Sequence, residues 1–299
     1  MIKNIFHRAK YKILGDSITV LMYHSVTPNA VRNWGPWRFA ITPQQFKNHL
    51  DYITRWHEPI MLDSILNDSA VPENGVVITF DDGFQDTLTT ALPILEAHDI
   101  PATIYVTTGF LPDHCVPFEY GVAESLRTAD WVNVSVGGLQ LERALPTDEK
   151  VVRAYDEIKK WGMHVEREDR YELLSQLPNT DDAVDMLTEA DVAELATHPL
   201  ITVGAHGHEH LPLTTRGEGA VRADIKQCLK QLESLMDRSV DHFSYPYGAF
   251  DENVTSILKE FSFKTAASTH PADFVLDLDR QYPYEIPRFD ASNGLNDII

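Results

Sequence analysis

Cysteine is scarce in this sequence, and so are basic side chains and long apolar runs. Only Cys115 and Cys228 occur among the 299 residues. Two thiols are too few for a disulfide framework, so we expect both to be reduced packing residues. No apolar run reaches the roughly 18 residues that a membrane span needs. The 45 acidic and 25 basic side chains give a formal net charge of −20, which argues against nucleic acid as a partner because such binding needs a basic surface.

The N-terminal segment, MIKNIFHRAKYKIL, is basic but has no apolar core and no small-residue cleavage site. It is therefore not typical of a secretory signal, and we expect a cytoplasmic protein. Its apolar residues recur at helical spacing, which leaves two interpretations. The segment is either a terminal helix that packs on the domain or a basic amphipathic helix in peripheral contact with the inner face of the membrane.

Strand-like and helix-like segments alternate along most of the chain. Apolar, β-branched runs cover residues 17–26, 76–80, 102–110 and 201–206, and amphipathic helical patterns separate them. Such alternation predicts βαβ units and an α/β fold with a mainly parallel sheet. About seven units in one chain favour a closed or nearly closed barrel over an open sheet.

Residues 112–180 interrupt this alternation with mixed polar helical pieces and a Gly137-Gly138 pair. We interpret them as an insertion on a loop of the main fold, which predicts a single domain over residues 1–299. The insertion is a candidate for substrate selection, because the loops of a barrel carry specificity.

Polar side chains stand at the predicted C-terminal ends of four strands, where barrel enzymes place their catalytic groups. These side chains are His24, the pair Asp81 and Asp82, the cluster from His206 to His210, and Arg288. The two adjacent carboxylates of the Asp pair repel each other. A positive group must therefore offset their charges, or the pair must lie in water.

A divalent metal is the positive group that the sequence GAHGHEH suggests. If the chain turns helically after its strand, His206 and His210 share one face at i and i+4 and can bind one metal ion. On an extended strand His206 and His208 would share a face instead. One carboxylate of the Asp pair would complete the ligand set, and the other could take a proton from a metal-bound water.

Three motifs carry a resemblance to a known family. TFDDG at 79–83, His206-x-x-x-His210 and YPYG at 245–248, in this order, resemble the polysaccharide deacetylases, the NodB-homology group or carbohydrate esterase family 4. The likeness extends over most of the chain, including VLMYHSVTP and ALPILEAHDIPATIYVTTGFL. It implies a distorted (β/α) barrel and one divalent ion, zinc first and cobalt, nickel or manganese as alternatives. The implied reaction is removal of acetyl groups from N-acetylated sugars.

The resemblance also implies roles for individual residues. Asp81 matches the general base, and Tyr247, which follows Pro246 in YPYG, matches the position whose backbone N–H helps to form the oxyanion hole. The implied metal ligands are Asp82, His206 and His210. Metal-bound water would attack the acetamide carbonyl, and a general acid would protonate the leaving sugar amine.

Members of this family take the general acid from different motifs. The late L-x-H-like motif of many members is missing here, and His270 has a different context. A branch of the family that begins with an MYH segment places its catalytic His there, so His24 in LMYHSV is the predicted acid. The alternative is a buried structural His bonded to a carbonyl.

The chain departs from the family pattern at two further places. Gly207 stands where Ser or Thr is usual, which predicts a looser loop around His210. The Arg that often precedes PYG is replaced by Ser244 and Tyr245, and Arg288 in IPRFD could take its place and orient Asp81. A third feature is the aromatic segment NWGPWRF, which precedes the first predicted helix. Its residues Trp34, Trp37 and Phe39 are expected either to line a sugar-binding groove or to pack within this loop.

These inferences predict a metal-dependent carbohydrate N-deacetylase. Its substrate would be an acetylated amino sugar in a polysaccharide, an oligosaccharide or a lipid-linked glycan, as in the biosynthesis of a cell-surface polysaccharide. One alternative is an amidase of the same fold that acts on a small non-sugar amide, which a narrow pocket would favour. The other is a catalytically inactive glycan-binding relative, against which the intact Asp81, Asp82, His206 and His210 argue.

Overall fold

The structure is a computed structural model, and it describes residues 17–28, 30, 34–66, 71–111, 115–180, 184–295 and 298–299. The N-terminal helix that the sequence predicts lies outside these residues, so its contact with a membrane stays a prediction. Within the described ranges, no helix combines the length and the apolar character that crossing a membrane requires. Cys115 and Cys228 are both free thiols, as expected.

Short strands form the sheet and one hairpin. The strands are β1 (Ser17–Tyr23), β2 (Glu58–Pro59), β3 (Gly75–Phe80), β4 (Ala102–Val106), β5 (Trp131–Val136), β6 (Leu139–Ala144), β7 (Ile201–Ala205), β8 (His242–Ser244), β9 (Thr265–Ala267), β10 (Phe274–Val275) and β11 (Phe289–Asp290). The helices are α1 (Pro43–Trp56), α2 (Leu92–His98), α3 (Phe118–Thr128), α4 (Asp148–Gly162), α5 (Arg167–Gln176), α6 (Glu189–Thr197), α7 (Glu218–Met236), α8 (Glu252–Glu260) and α9 (Leu276–Asp279).

The main sheet is a curled half-barrel of mainly parallel strands in the order β10-β1-β3-β4-β7-β8-β9. Its two ends approach the same segment of chain near the C-terminus. Ile286 bridges to Ala267 of β9, and Phe289 of β11 pairs in parallel with Leu21 of β1. With β11, seven strands run parallel, the two-residue β2 also pairs in parallel with β3, and β10 is antiparallel to β1. The predicted α/β fold, a distorted barrel of about seven mainly parallel strands, is confirmed.

The strands are buried on both faces, which is why they are nearly continuous apolar runs in the sequence. Alternate residues belong to different clusters. Val20, Val77 and Tyr105 pack with Ile286 on one face of the sheet, in a cluster of mostly inner-barrel side chains. The residues that follow or precede them on each strand pack in a larger cluster with the helices. Members of that larger cluster include Leu21, Ile78, Ile104, Leu50, Leu95 and Ile225.

The insertion, residues 112–180, contains α3, the antiparallel hairpin β5–β6, α4 and α5. Its apolar side chains form a cluster of their own with Trp37 and Phe84, including Phe118, Val134, Leu141, Ile158 and Leu173. Trp37 is buried in this cluster and Trp34 packs edge-on against Tyr155, so both tryptophans are packing residues. The division of the chain into domains stays a prediction.

Candidate active site

Asp81 follows β3 and faces the interior of the barrel because side chains alternate along a strand. Val77 and Thr79 precede it by four and two residues, so all three point to the same face. The next residue, Asp82, would then point away. It instead adopts a left-handed conformation with φ 77°, and Gly83 follows with φ 89°. This turn brings both carboxylates to one pocket, and the conformation is costly for a residue with a Cβ.

Arg288 contacts Asp81, as suggested from the sequence for the arginine that replaces the missing motif Arg. It is fully buried and forms a bidentate pair, with Nη1 to Oδ1 and Nη2 to Oδ2 both at 2.7 Å. Its other N–H groups donate to Thr79 Oγ1 at 3.0 Å, Ser244 Oγ at 2.8 Å and Ser268 O at 2.8 Å. All five donors of the guanidinium are therefore used, and its plane is fixed.

The position of Arg288 in the chain corrects the sequence analysis, which placed it at the C-terminal end of a strand. It lies between the bridge at Ile286 and β11, immediately after Pro287. Proline has no N–H for a ladder, so the strand is interrupted there. Arg288 reaches Asp81 because β11 and β3 both pair with β1 at Leu21 and Met22, one on each side of it.

The two carboxylates have different positive neighbours. Burial by itself would raise the pKa of Asp81, but Arg288 and then His206 lower the pKa below its usual value. Burial also acts to raise the pKa of Asp82, and His210 together with His206 holds that pKa well below its ordinary value. Both groups are thus ionised in the fold.

Asp82, His206 and His210 form the cluster of ligand atoms that could hold a metal, with every pair of these atoms within 4.8 Å. Asp82 Oδ1 lies 3.4 Å from His206 Nε2 and 3.2 Å from His210 Nε2. It is buried and has no hydrogen-bond partner among the described residues. His206 Nδ1 lies 2.8 Å from Ser244 O, which leaves Nε2 to face the carboxylate. This donor set of one carboxylate and two imidazoles fits a divalent transition metal.

The loop that carries the histidines is not helical, which corrects the i, i+4 argument. β7 ends at Ala205, Gly207 has φ 74° and His210 has φ 49°, so the chain turns through left-handed positions instead. The expectation that Gly207 loosens the loop is also wrong. Asp224 of α7 accepts the backbone N–H of His208 at 3.0 Å and of Glu209 at 2.7 Å. A Cβ at Gly207 would lie 2.8 Å from Asp224 Oδ2, so the glycine permits this contact.

His208 is excluded from the cluster by its own contacts. Its Nδ1 lies 2.9 Å from Thr108 Oγ1, and its Nε2 lies 2.8 Å from Gln227 Nε2. Both ring nitrogens are therefore occupied by contacts to Thr108 and to Gln227 of α7. Of the two pairings that the sequence left open, the fold brings together His206 and His210.

The YPYG motif forms a tight turn after β8. Tyr247 has φ 60°, and the turn is closed by Gly248 N–H to Tyr245 O at 2.7 Å and by Ala249 N–H to Pro246 O at 3.2 Å. The N–H of Tyr247 does not close the turn. Pro246 is buried and has no N–H, so only Tyr247 of the two predicted residues can donate a backbone hydrogen bond.

His24 stands directly after β1 and lines the same pocket. Its ring stacks on Phe39, with centroids 4.8 Å apart and planes at 19°. Its Nδ1 is buried without a hydrogen-bond partner among the described residues, so that nitrogen does not make the carbonyl bond of the structural alternative.

The pocket that joins these residues has a volume of about 370 Å³. One wall comes from the ends of the barrel strands, with His24, Asp81, Asp82, His206 and His210. The opposite wall comes from the insertion. Its lining residues are Pro117, Phe118, Glu119, Tyr120, Lys159, Gly162, Met163 and Arg170. Arg288 lies behind Asp81 and is not part of the lining.

Sequence reasoning missed three residues that hold this site. Ser244 was noted only as a substitute for an arginine, yet it contacts both Arg288 and Asp81. Asp224 lies on a helix with an ordinary amphipathic pattern, and Glu119 lies in the insertion. Nothing in the sequence near either residue signals its contact, because the partners are 15 or more positions away.

Comparison with known proteins agrees with the motifs. The family model described as polysaccharide deacetylase matches residues 68–266. A comparison with curated proteins gave no match.

Several solved structures share the fold. IcaB from Ammonifex degensii has a TM-score of 0.62 at 17% identity, covering 94% of this chain and 95% of that one. Streptococcus pyogenes deacetylase PplD, in complex with acetate, has a TM-score of 0.60 at 16% identity, covering 91% of each chain. The BpsB deacetylase domain from Bordetella bronchiseptica has a TM-score of 0.56 at 18% identity, covering 92% and 95%. At these identities the likeness is one of fold.

Proposed function

Because the match over residues 68–266 covers most of its length, the chain belongs to the polysaccharide deacetylase family, and we propose that it is a metal-dependent N-deacetylase of an amino sugar. The observation that carries the proposal is Asp82 Oδ1, which is buried and faces two imidazole Nε2 atoms at 3.2 and 3.4 Å, with no hydrogen bond to any residue that the structure describes. A buried carboxylate oxygen without a partner is costly, and a cation would satisfy it.

Asp82, His206 and His210 would hold the metal, with zinc as the first candidate for this donor set. When bound, a divalent ion supplies polarisation of a carbonyl and a lowered pKa of water. Asp81 is the proposed general base, which accepts a proton at a carboxylate oxygen from the attacking water. Arg288 orients Asp81 and keeps it ionised.

Two further residues complete the proposed reaction. The backbone N–H of Tyr247 would donate to the oxyanion that forms when the acetamide carbonyl is attacked. His24, at the wall of the pocket, would protonate the leaving sugar amine as the C–N bond breaks. Phe39 stacks on His24 and limits rotation of the ring.

The substrate that we propose is an N-acetylated sugar of a polysaccharide, an oligosaccharide or a lipid-linked glycan. Aromatic side chains of Phe39, Phe110 and Phe118 line the pocket beside the polar groups and suit the apolar faces of a sugar ring. The volume of about 370 Å³ lies near the lower end of the range of about 300–1,000 Å³ for ligand pockets. That size supports a second candidate, an amidase for a small non-sugar amide.

The test is acetate release from a panel of N-acetylated sugars and small amides, with added zinc or cobalt and with a chelator. We expect release from the sugars that needs metal, and a fall of about 10²- to 10⁴-fold in Asp81→Asn because a general base is removed. Release from small amides alone would favour the second candidate. A chain that binds no metal would contradict the role of Asp82, His206 and His210.

A further inference from the structure

The insertion touches the loop of the candidate metal ligands through a buried arginine. Arg170 of α5, whose side chain is 8% exposed, pairs with Glu209 through Nη2 and Oε2 at 3.0 Å. Its Nη1 donates to the backbone carbonyl of Glu209 at 3.1 Å. Arg167 adds a contact to Glu209 Oε1 at 3.3 Å. The residue next to His210 is thus held by both its side chain and its backbone from the insertion.

The same loop is held from the barrel side by Asp224, which accepts the N–H of Glu209 at 2.7 Å. Glu209 therefore lies between a barrel helix and an insertion helix. Its N–H donates to Asp224 of α7, and its C=O accepts from Arg170 of α5. His210 follows it in a left-handed conformation, φ 49°. Such a conformation persists only where the surroundings fix it.

A second contact reaches the YPYG turn. The phenol of Tyr247 donates to Glu119 Oε1 of α3. The other oxygen of Glu119 accepts from Tyr155 at 3.0 Å and Lys159 at 2.7 Å, both on α4. The side chain of Tyr247 is thereby fixed to two insertion helices, and its ring lies 4.9 Å from that of His210.

Tyr247 also has a left-handed backbone, φ 60°, inside the turn that follows β8. A left-handed backbone is unfavourable for a residue with a Cβ, so it tends to relax unless it is anchored. The bond to Glu119 is such an anchor, and it acts on the residue whose N–H we assign to the oxyanion.

We propose that the insertion positions the reacting centre through two contacts, Arg170 with Glu209 and Glu119 with Tyr247. This inference rests on the proposed function of the site. Arg170 is a positioning residue for the ligand His210, and Glu119 is a positioning residue for the backbone N–H of Tyr247. The insertion then does more than select substrate, because it completes the geometry of two barrel loops.

The experiment compares Arg170→Gln and Glu119→Gln with matched substitutions at an exposed ion pair of the insertion. Arg143 and Glu157 pair at 2.6 Å with side chains 36% and 44% exposed, and they bond to each other rather than to the two loops. Arg143→Gln and Glu157→Gln therefore make the same chemical changes without the positioning contact. For each full-length variant, zinc affinity of the metal-stripped chain, kcat, KM and the thermal unfolding midpoint are measured.

For Arg170→Gln we expect zinc affinity to weaken about 10- to 100-fold, the effect of removing a group that orients a ligand. For Glu119→Gln we expect kcat to fall at least about tenfold with KM and zinc affinity nearly unchanged, because the oxyanion donor acts in the transition state. Both controls should match the wild type. In a double-mutant cycle, Glu119→Gln should add little to Tyr247→Phe, since one removes the charge of the acceptor and the other removes the donor of the same hydrogen bond.

The proposal is overturned if Arg170→Gln and Glu119→Gln match their controls in zinc affinity and kcat. If the wild type binds zinc but releases no acetate, the proposed function fails, and the zinc affinity of Arg170→Gln still decides whether the insertion positions His210. A wild type that binds no zinc would overturn both, because there would be no metal site for the insertion to complete.

Discussion

The two walls of the pocket are built in different ways. On the barrel wall, the side chains of Asp81 and His206 are each 3% exposed, and Arg288 behind them is fully buried. These residues bond to one another or to strand backbone. On the insertion wall, Glu119 and Lys159 are 14% and 22% exposed and pair with each other. The insertion wall is supported by an apolar cluster of the insertion, whereas the barrel wall is supported by the main sheet.

The barrel wall carries the candidate reacting groups, whereas the insertion wall positions the loops that hold them. Parallel strands end at one edge, so groups that follow them in the chain meet in space without further help. Among its described residues, 115–180, the insertion contributes none to the candidate ligand cluster or to the Asp81–Arg288 pair. It contributes aromatic surface and contacts to loops, and it is therefore the wall from which we expect substrate selection.

The largest effect is expected on the barrel wall, at Asp82. Asp82→Asn should weaken zinc binding by more than the about 10- to 100-fold that is typical for groups behind a ligand, and acetate release should fall with it. Isothermal titration of the metal-stripped chain measures this. Gln176→Asn on the insertion, where the amide bonds to the backbone of Ser135, is the control and should bind zinc normally.

Next in size is Arg288→Gln, which leaves the Asp81 carboxylate buried without its cation. We expect a loss of about 3–5 kcal/mol in the free energy of unfolding, as for other broken buried pairs. Chemical denaturation gives the value. Ser244→Ala removes one neutral partner of the same arginine and should cost about 1 kcal/mol. Equal losses in the two variants would contradict the assignment of Arg288 as the counter-charge.

The third prediction tests whether the two regions unfold together. Leu126 in the insertion cluster and Leu50 in the barrel cluster are both fully buried. Each change to Ala should cost about 2–5 kcal/mol. If residues 1–299 are one domain, as the sequence predicts, both variants shift one calorimetric transition. A separate early transition in Leu126→Ala would instead show that the insertion unfolds alone.

The smallest effect compares two glycines with positive φ. Gly207→Ala and Gly138→Ala should each cost about 1–2 kcal/mol for the left-handed backbone. Only Gly207 has a neighbour within contact, Asp224 Oδ2 at 2.8 Å, whereas a Cβ at Gly138 meets nothing within 4 Å. Gly207→Ala should therefore also weaken zinc binding, and Gly138→Ala should not. Equal zinc affinities would mean that Asp224 does not set the histidine loop.

Much of the fold was predictable because buried parallel strands and amphipathic helices leave clear periodic patterns. Some strands were predicted too long; the apolar run 102–110, for example, forms a strand only over Ala102–Val106. The hairpin β5–β6 was missed, although Gly137-Gly138 between alternating runs is a known hairpin signal. Only one face of the hairpin is buried, so apolar and polar residues alternate along its strands and no continuous apolar run marks them. The polar segments on either side made this short alternation easy to miss.

The sequence by itself determined which strands the candidate site residues follow: Asp81 and Asp82 come after one apolar run, and His206 and His210 come after another. It also determined the family to which these motifs belong. Only the tertiary structure decided which histidines meet, that Gly207 fits against Asp224, and that Arg288 reaches Asp81 across 207 positions. The physical reason is that periodicity and capping act over a few residues. Pairing of charges and loop conformations depends instead on neighbours that the folded sheet brings together.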